Sequence, residues 1–112
     1  MIKEKKEQGF YSKKLVELAL QIPSGRVTTY GILNKLSGGA PRMAMMVTHL
    51  LSKSDRVKEI PFHRIVYSDG RFFDDPQYNA GRLKLLKKEG IIINSKGKVV
   101  DFEDKVFYFR KE

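Results

Sequence analysis

The segment Ile60–Gly70, IPFHRIVYSDG, joins a rigid corner to an apolar run and a turn, and each part limits the local fold. Pro61 fixes its own φ angle, so the side chains of Phe62 and His63 are expected to project from a rigid corner. The run Ile65-Val66-Tyr67 is typical of a short strand, and the closing letters SDG are typical of a tight turn. A corner of this kind suits a reactive side chain, yet Phe62 has no reactive atom.

Three helices are predicted before this segment, over about residues 12–22, 30–36 and 41–52. Ser12 is predicted to cap the first helix. Thr28 or Thr29 would cap the second, and Pro41 suits the first turn of the third. A glycine-containing turn joins the last two helices. This is the pattern of a helix-turn-helix, although many αα-corners that never touch DNA share it.

The predicted third helix would be the recognition helix, because the second helix of such a motif presents its N-terminal residues to the duplex. Those residues are Arg42 first, and then Met45 and His49. Met43 and Met46 are interpreted as core residues, since a methionine stripe at helical spacing is more often packed inside than used for binding.

The C-terminal half predicts a loop over residues 71–77 and a fourth helix from about Asn79 to Glu89. The outer face of that helix is basic and carries Arg82, Lys84, Lys87 and Lys88. Residues 91–93 and 99–100 are predicted to pair as a small hairpin, and the apolar residues 106–109 to dock on the body.

The elements together predict a mainly α fold with a small β element, a helix-turn-helix (winged-helix-like) DNA-binding domain. Residues 1–9 are interpreted as a charged flexible leader and residues 10–112 as one domain, because 112 residues are too few for two hydrophobic cores of ordinary size.

Composition points to a polyanion as partner and excludes several chemistries. The net charge of +9 and pI near 9.8 favour nucleic acid, although solubility alone could explain a basic surface. There is no cysteine, so disulfides and thiol catalysis are excluded, and with only His49 and His63 as imidazoles no metal site and no cofactor are expected. No apolar run is long enough to span a membrane, and the expected location is the cytoplasm (the nucleoid) or, in a eukaryote, the nucleus.

Five motifs follow one another along the chain: PSGRVTTYG, GGAPRMA, PFHRI, YSDG and LLKKEGI. Together they resemble the C-terminal DNA-binding domain of the O6-alkylguanine-DNA alkyltransferases, and the resemblance covers roughly Phe10–Ile93. In that family the central motif is Pro-Cys-His-Arg-Val, and its cysteine accepts an alkyl group from a damaged guanine. This sequence has Phe62 in place of the cysteine, and phenylalanine cannot act as a nucleophile.

The resemblance therefore implies an alkyltransferase-like protein, which is not an enzyme. Such a protein would bind O6-alkylguanine in the minor groove of duplex DNA, flip the nucleotide and flag the lesion for nucleotide excision repair. A monomer is expected, with proteins of nucleotide excision repair as candidate partners. Phe62 in place of a reactive thiol would give the lesion pocket an apolar wall.

The resemblance also implies roles for individual residues. Arg42 would be the finger that fills the gap left by the flipped nucleotide, and Tyr30 would crowd the neighbouring phosphate. The predicted DNA-binding residues are Tyr30, Arg42, Ala44, Met45 and Thr48. The predicted lesion pocket is lined by Tyr30, Phe62, Tyr67, Phe72 and Phe73.

No catalytic residue is predicted. His63 and Glu89 match the relay that deprotonates the family's cysteine, and as remnants of it they are expected to have a structural, hydrogen-bonding role. Arg64 is expected to brace the motif by hydrogen bonds to nearby carbonyl groups.

Two other functions remain open at this point. One is a transcriptional regulator that reads a specific DNA site through the helix-turn-helix, although Ala44, Met45 and Thr48 are poor candidates for bidentate contacts with bases. The other is a residual glycosylase or hydrolase that uses His63 with Glu89.

Overall fold

The computed structural model describes the backbone of residues 2–72 and 76–109, and the side chains of residues 9–72 and 81–109. Its helices are α1 (Ile2–Ala19), α2 (Tyr30–Leu36), α3 (Val47–Ser52), α4 (Pro76–Lys88) and α5 (Phe102–Lys105). Three 3₁₀ segments lie at Pro41–Met46, Val57–Glu59 and Phe62–Arg64. The strands are β1 (Thr28–Thr29) and β2 (Ile65–Val66), so the predicted mainly α fold with a small β element is confirmed.

Helix α1 is longer than predicted, because it begins at Ile2 and includes the segment interpreted as a leader. The leader is rich in lysine and glutamate, which are good helix formers. Ser12 therefore lies inside the helix and is not its cap. The buried face of α1 carries Leu15, Leu18 and Ala19, as the helical spacing predicted.

The predicted cap of α2 is confirmed at Thr29, whose Oγ1 accepts a hydrogen bond of 3.0 Å from the Ile32 N–H. The third predicted helix begins at Pro41, as expected, but its first half is a 3₁₀ segment and only Val47–Ser52 is α-helical. Met43 packs against the core. Met46 is 44% exposed, so its interpretation as a core residue was wrong; the fully buried Val47 takes the inward position instead.

The corner at Pro61 lies between two hydrophobic clusters. Strand β2 follows it directly and pairs in parallel with β1, with Thr28 opposite Ile65 and Thr29 opposite Val66. The Ile65 side chain belongs to the first cluster and the Val66 side chain to the second, because successive residues of a strand point to opposite faces. The members of the first cluster are Tyr11, Leu15, Leu18, Ala19, Ile22, Leu33, Val47, Leu51, Ile60 and Ile65.

The second cluster is built mostly from the C-terminal half. It consists of Val27, Val66, Phe72, Leu86, Ile91 and Val99. Among the described side chains of α4, Leu86 belongs to this cluster. The helix begins at Pro76, earlier than predicted, since proline is well tolerated in the first turn of a helix. Burial on both sides of β2 holds the corner from two directions.

The predicted hairpin is present in reduced form, as one antiparallel bridge between Ile93 and Val99. The C-terminal stretch docks as predicted: Val106 is 5% exposed and forms a parallel bridge with Val27. Helix α5 was not predicted. Among the residues that the structure describes, no helix could span a membrane, and no group of histidine, cysteine or acidic side chains could hold a metal.

Candidate nucleic-acid interface

Phe62 is held in a single 3₁₀ turn directly before β2. Its N–H donates to the Ile60 carbonyl at 2.9 Å, and the Arg64 N–H donates to the Pro61 carbonyl at 2.9 Å. The ring is half-buried and packs against the first cluster, and the Arg82 guanidinium lies 6.0 Å from its centroid. The corner therefore presents an apolar, partly accessible ring with a cation near it.

Glu89 is a partly buried carboxylate that ties the turn carrying Phe62 to the loop after α1. Glu89 Oε2 lies 2.9 Å from His63 Nε2 and accepts a bond of 2.6 Å from an Arg64 terminal nitrogen; Arg64 Nε donates to Oε1 at 2.9 Å. The second terminal nitrogen of Arg64 donates to the Ile22 carbonyl at 2.8 Å, and the Gly25 N–H donates to Glu89 Oε1 at 3.3 Å. Glu89, the residue after α4, thus joins the corner to the loop that follows α1, and Arg64 adds a second bond to that loop.

These contacts bear out the predicted bracing by Arg64 only in part. One of its bonds goes to a carbonyl group, that of Ile22, but the other two go to Glu89. His63 and Glu89 do pair, as the resemblance implied. Burial raises the pKa of Glu89, but the hydrogen bonds from Arg64, His63 and the Gly25 amide outweigh it, and the pKa falls to about 2.

The lowered pKa predicts a loss of stability in acid. Because the folded pKa lies below the ordinary 4.5, the contribution of Glu89 is complete above about pH 4.5 and is lost as the pH falls toward 2. We expect ionised Glu89 to contribute about 2–3 kcal/mol to the free energy of unfolding, a value reduced because the side chain is partly exposed. Urea unfolding of the wild type and of Glu89→Gln between pH 2 and 6 measures it; equal pH dependence in both proteins would contradict the assignment.

Two tyrosines lie beside each other at the side of the recognition helix. The ring centroids of Tyr30 and Tyr67 are 5.6 Å apart with a tilt of 50°, and the Arg71 guanidinium lies 5.6 Å from the Tyr67 centroid. Burial raises the pKa of Tyr30, and a hydrogen bond with the Thr48 side chain opposes that effect. Thr48 therefore links the recognition helix to the aromatic pair.

The predicted DNA-facing residues of the recognition helix are accessible to different degrees. Arg42 is exposed and makes no hydrogen bond or ion pair with any residue that the structure describes. Met45 is 89% exposed, Thr48 and His49 are exposed, and Ala44 is half-buried. Their surface positions are compatible with the predicted contacts, and their roles remain predictions.

Two phenylalanines, Phe72 and Phe73, were predicted to line the lesion pocket. Phe72 is 6% exposed and belongs to the second cluster, and its N–H donates to the Gly97 carbonyl at 2.7 Å. It is a core residue, so its assignment to the pocket was wrong. Phe73 lies outside the described residues. Tyr30, Phe62 and Tyr67 remain as candidate pocket residues.

The sequence did not lead us to predict that Arg82 lies beside Phe62. It was assigned only to the basic outer face of the fourth helix. A usable signal was present: Arg82 precedes Glu89 by seven positions, about two helical turns, so both lie on the same side of α4. That side faces the corner, where Arg82 approaches Phe62 and Glu89 binds His63 and Arg64.

Comparison with known proteins gives a consistent picture. Residues 11–91 match the family model described as 6-O-methylguanine DNA methyltransferase, DNA binding domain. The DNA base-flipping protein of Escherichia coli K12 is 33% identical over 98 residues, which cover 87% of this chain and 74% of that protein. The methylated-DNA–protein-cysteine methyltransferase of Methanothermobacter thermautotrophicus is 31% identical over 84 residues, which cover 72% of this chain and 44% of the relative.

The fold also matches a solved structure. The crystal structure of S. pombe Atl1 in complex with damaged DNA containing O6-carboxymethylguanine superposes with a TM-score of 0.68 at 24% identity. The match covers 87% of this chain and 94% of that one, and it confirms the helix-turn-helix-like architecture. The chain belongs to the family that shares the DNA-binding domain of the 6-O-methylguanine DNA methyltransferases, as its sequence motifs predicted.

Proposed function

We propose that this protein binds O6-alkylguanine in duplex DNA, flips the damaged nucleotide and does not repair it. The observation that carries the proposal is the position of Phe62, a half-buried ring at the rigid corner where the family's reactive cysteine would stand. The E. coli relative is named a DNA base-flipping protein, and S. pombe Atl1 was crystallised with DNA containing O6-carboxymethylguanine. Both support the proposal.

Alkyl transfer is incompatible with this site. The reaction needs a soft nucleophile that forms readily near neutral pH, and the sequence contains no cysteine. A phenyl ring offers a stacking face instead. Taking a nucleotide out of the stack costs a few kcal/mol, and stacking of the base on aromatic side chains returns about 1–3 kcal/mol for each base.

In this proposal, three rings form the stacking site. Tyr30 and Tyr67 form a pair, and Phe62 lies in the corner that precedes the strand leading to Tyr67. A simple O6-alkyl substituent such as methyl is apolar, so contact with Phe62 would favour O6-methylguanine over guanine. Arg82 near the Phe62 ring adds a cation that attracts the electron-rich base.

The wider role follows from the absence of a nucleophile. A protein that holds a lesion and cannot remove it needs a second system to complete the repair, and we propose nucleotide excision repair for that task. We propose that the protein acts as a monomer in the compartment that holds the DNA. This is the cytoplasmic nucleoid or, in a eukaryote, the nucleus.

The other two functions fit the structure less well. A general base needs a free carboxylate with a pKa near the working pH, whereas Glu89 is engaged by three partners and its pKa is about 2. A regulator that reads a specific site needs donors and acceptors on its recognition helix, whereas the side chain of Met45, which is 89% exposed there, is apolar.

The test compares two duplexes that differ only in carrying O6-methylguanine or guanine at one position. We expect tighter binding to the lesion, with the methyl group still on the base after incubation. Removing one stacking ring with Phe62→Ala is expected to weaken lesion binding roughly 5- to 150-fold, the equivalent of about 1–3 kcal/mol. Fluorescence anisotropy at physiological salt measures both.

Phe10→Ala is the matched control, because it removes a ring that is 78% exposed on α1. It is expected to leave the affinity for both duplexes unchanged. Equal affinity of the wild type for the two duplexes would overturn the proposal and favour the regulator, which a selected consensus site would then establish.

A further inference from the structure

The outer face of α4 carries positive charges that no acidic residue of the same helix balances. The helix, Pro76–Lys88, contains one arginine and three lysines but no aspartate or glutamate. Lys84 and Lys88 are one turn apart, so they are neighbours on the helix surface and repel each other. The helix dipole favours Lys87 and Lys88 in the last turn, but Lys84 lies before that turn. Folding alone therefore does not explain the charge of this face.

The same lysines surround a groove that has an apolar wall. The groove has a volume of about 550 Å³, and its described lining consists of Gly81, Lys84, Leu85, Lys87 and Lys88. The Leu85 side chain is 46% exposed. Lysine stems add further apolar surface, because the ammonium group reaches water while the carbon chain lies along the protein. An apolar centre inside a polar rim is the usual composition of a protein–protein interface.

This groove lies on a different side of α4 from the Phe62 corner. Arg82 approaches the Phe62 ring, so the Arg82 side of the helix faces the corner. Successive residues of an α-helix are rotated by about 100°, which places Lys84 about 200° and Lys88 about 240° from Arg82 around the axis. A ligand in the groove would therefore leave the corner accessible.

Among polyanions, an acidic protein segment fits the groove better than a nucleic acid does. Phosphate groups would pair with the lysines, but a phosphate backbone has no apolar side chain to place beside Leu85. A segment that carries carboxylates next to one apolar side chain complements both the charge and the apolar wall. Amphipathic helices bind hydrophobic grooves in this manner. None of the three lysines forms an ion pair with a residue that the structure describes, so their charges are available to such carboxylates.

We infer that the groove on α4 docks an acidic segment of a partner protein. One apolar side chain of the segment lies beside Leu85, and its carboxylates pair with Lys84 and Lys88. The inference rests on the proposed function, because a protein that holds a lesion without removing it must pass the lesion to other proteins. The position of the groove allows the partner and the duplex to be bound together.

The test uses a fluorescein-labelled helical peptide of glutamate and alanine, with leucines three and four positions apart. Fluorescence anisotropy at physiological salt measures its affinity for the wild type. We expect binding about tenfold tighter than for a peptide with glutamine in place of glutamate. We expect binding at least about threefold tighter than for a peptide with alanine in place of leucine. Adding the duplex with O6-methylguanine is expected to leave the peptide bound.

Two double variants separate the groove from the overall charge. Lys84→Glu/Lys88→Glu is expected to weaken peptide binding at least about tenfold, while the affinity for both DNA duplexes changes less than about twofold. Lys14→Glu/Lys96→Glu is the matched control, because it makes the same change in net charge at exposed lysines outside α4. Its affinity for the peptide is expected to change less than about twofold. Thermal unfolding checks that both variants are folded.

The outcomes distinguish this inference from the proposed function. Equal loss of peptide binding in the two double variants would overturn the inference in favour of diffuse attraction. If Lys84→Glu/Lys88→Glu loses DNA affinity, or if the duplex displaces the peptide, the groove belongs to the DNA interface and the inference is overturned. Peptide binding without a preference for the lesion would overturn the proposed function and leave the docking site. A preference for the lesion without peptide binding would overturn only the docking site.

Discussion

Replacing Glu89 by alanine is expected to lower the free energy of unfolding by about 3–5 kcal/mol, because His63 loses its acceptor and Arg64 keeps only its bond to the Ile22 carbonyl, while both side chains stay largely buried. The side chains of His63, Arg64 and Glu89 are 11%, 19% and 12% exposed, so water replaces the lost bonds only in part. Urea unfolding at pH 7 measures the change.

The control for this substitution is Glu59→Ala. Glu59 also pairs with an arginine, Arg56, at 2.9 Å, but the two side chains are 56% and 57% exposed. Exposed pairs contribute little to stability, so this variant is expected to unfold almost like the wild type. If Glu89→Ala were as stable as Glu59→Ala, the buried carboxylate would not brace the corner.

Glu89→Ala is also expected to weaken the binding of DNA. Glu89 holds His63 and Arg64, the two residues after Phe62, and it also receives the Gly25 amide at the entry to β1. Without it, the turn that presents Phe62 loses its ties to α4. Lesion binding of Glu89→Ala should therefore fall even at temperatures where the variant is folded, whereas Glu59→Ala should bind normally.

Local sequence signals were sufficient for the elements whose cause is local. Thr29 caps α2, Pro41 begins the recognition helix, and the turn at Gly70 has the positive φ of 86° that the letters SDG indicated. Each depends on one or two neighbouring residues. The length of α1 was underestimated because a charged segment was interpreted as flexible, although its residues favour a helix.

Features that depend on contacts distant in sequence were not predictable in the same way. Phe72 was assigned to a pocket, but its burial depends on Val99 and on a bond to Gly97, more than twenty residues away. The bidentate pairing of Arg64 with Glu89 also joins residues that are far apart in the sequence, 25 positions from each other. The Phe62 corner and the pairing of His63 with Glu89 were anticipated through the family resemblance, and the exposure of Met45 agrees with its predicted place on the DNA-facing side of the recognition helix.

The turn between α2 and the recognition helix is set by a buried amide that sequence analysis did not identify. Asn34 is 3% exposed; its Oδ1 accepts a hydrogen bond from the Tyr11 hydroxyl and its Nδ2 donates to the Ala40 carbonyl at 2.8 Å. The Gly39 N–H donates to the Asn34 carbonyl at 2.9 Å. One side chain therefore joins α1, α2 and the residue before Pro41.

Gly39→Ala is expected to lower the free energy of unfolding by roughly 2–5 kcal/mol, because the new methyl group displaces this amide and leaves buried polar groups unpaired. A Cβ at Gly39 would overlap Asn34 Oδ1 and lie 2.7 Å from Tyr11 Cε1, closer than side chains tolerate. Chemical denaturation measures the loss, with Gly31→Ala in the same helix-turn-helix as control. A Cβ at Gly31 meets nothing nearer than 3.8 Å, so that variant should be neutral or up to about 1 kcal/mol more stable.

The two glycine variants also separate stability from DNA binding. If Asn34 fixes the entry of the recognition helix, Gly39→Ala should lose affinity for lesion and undamaged duplex alike at a temperature where it remains folded, since the whole helix is displaced. Phe62→Ala, by contrast, should lose the preference for the lesion. A Gly39→Ala variant with the stability of Gly31→Ala would mean that the turn rearranges without cost, and Asn34 would then not determine where the recognition helix begins.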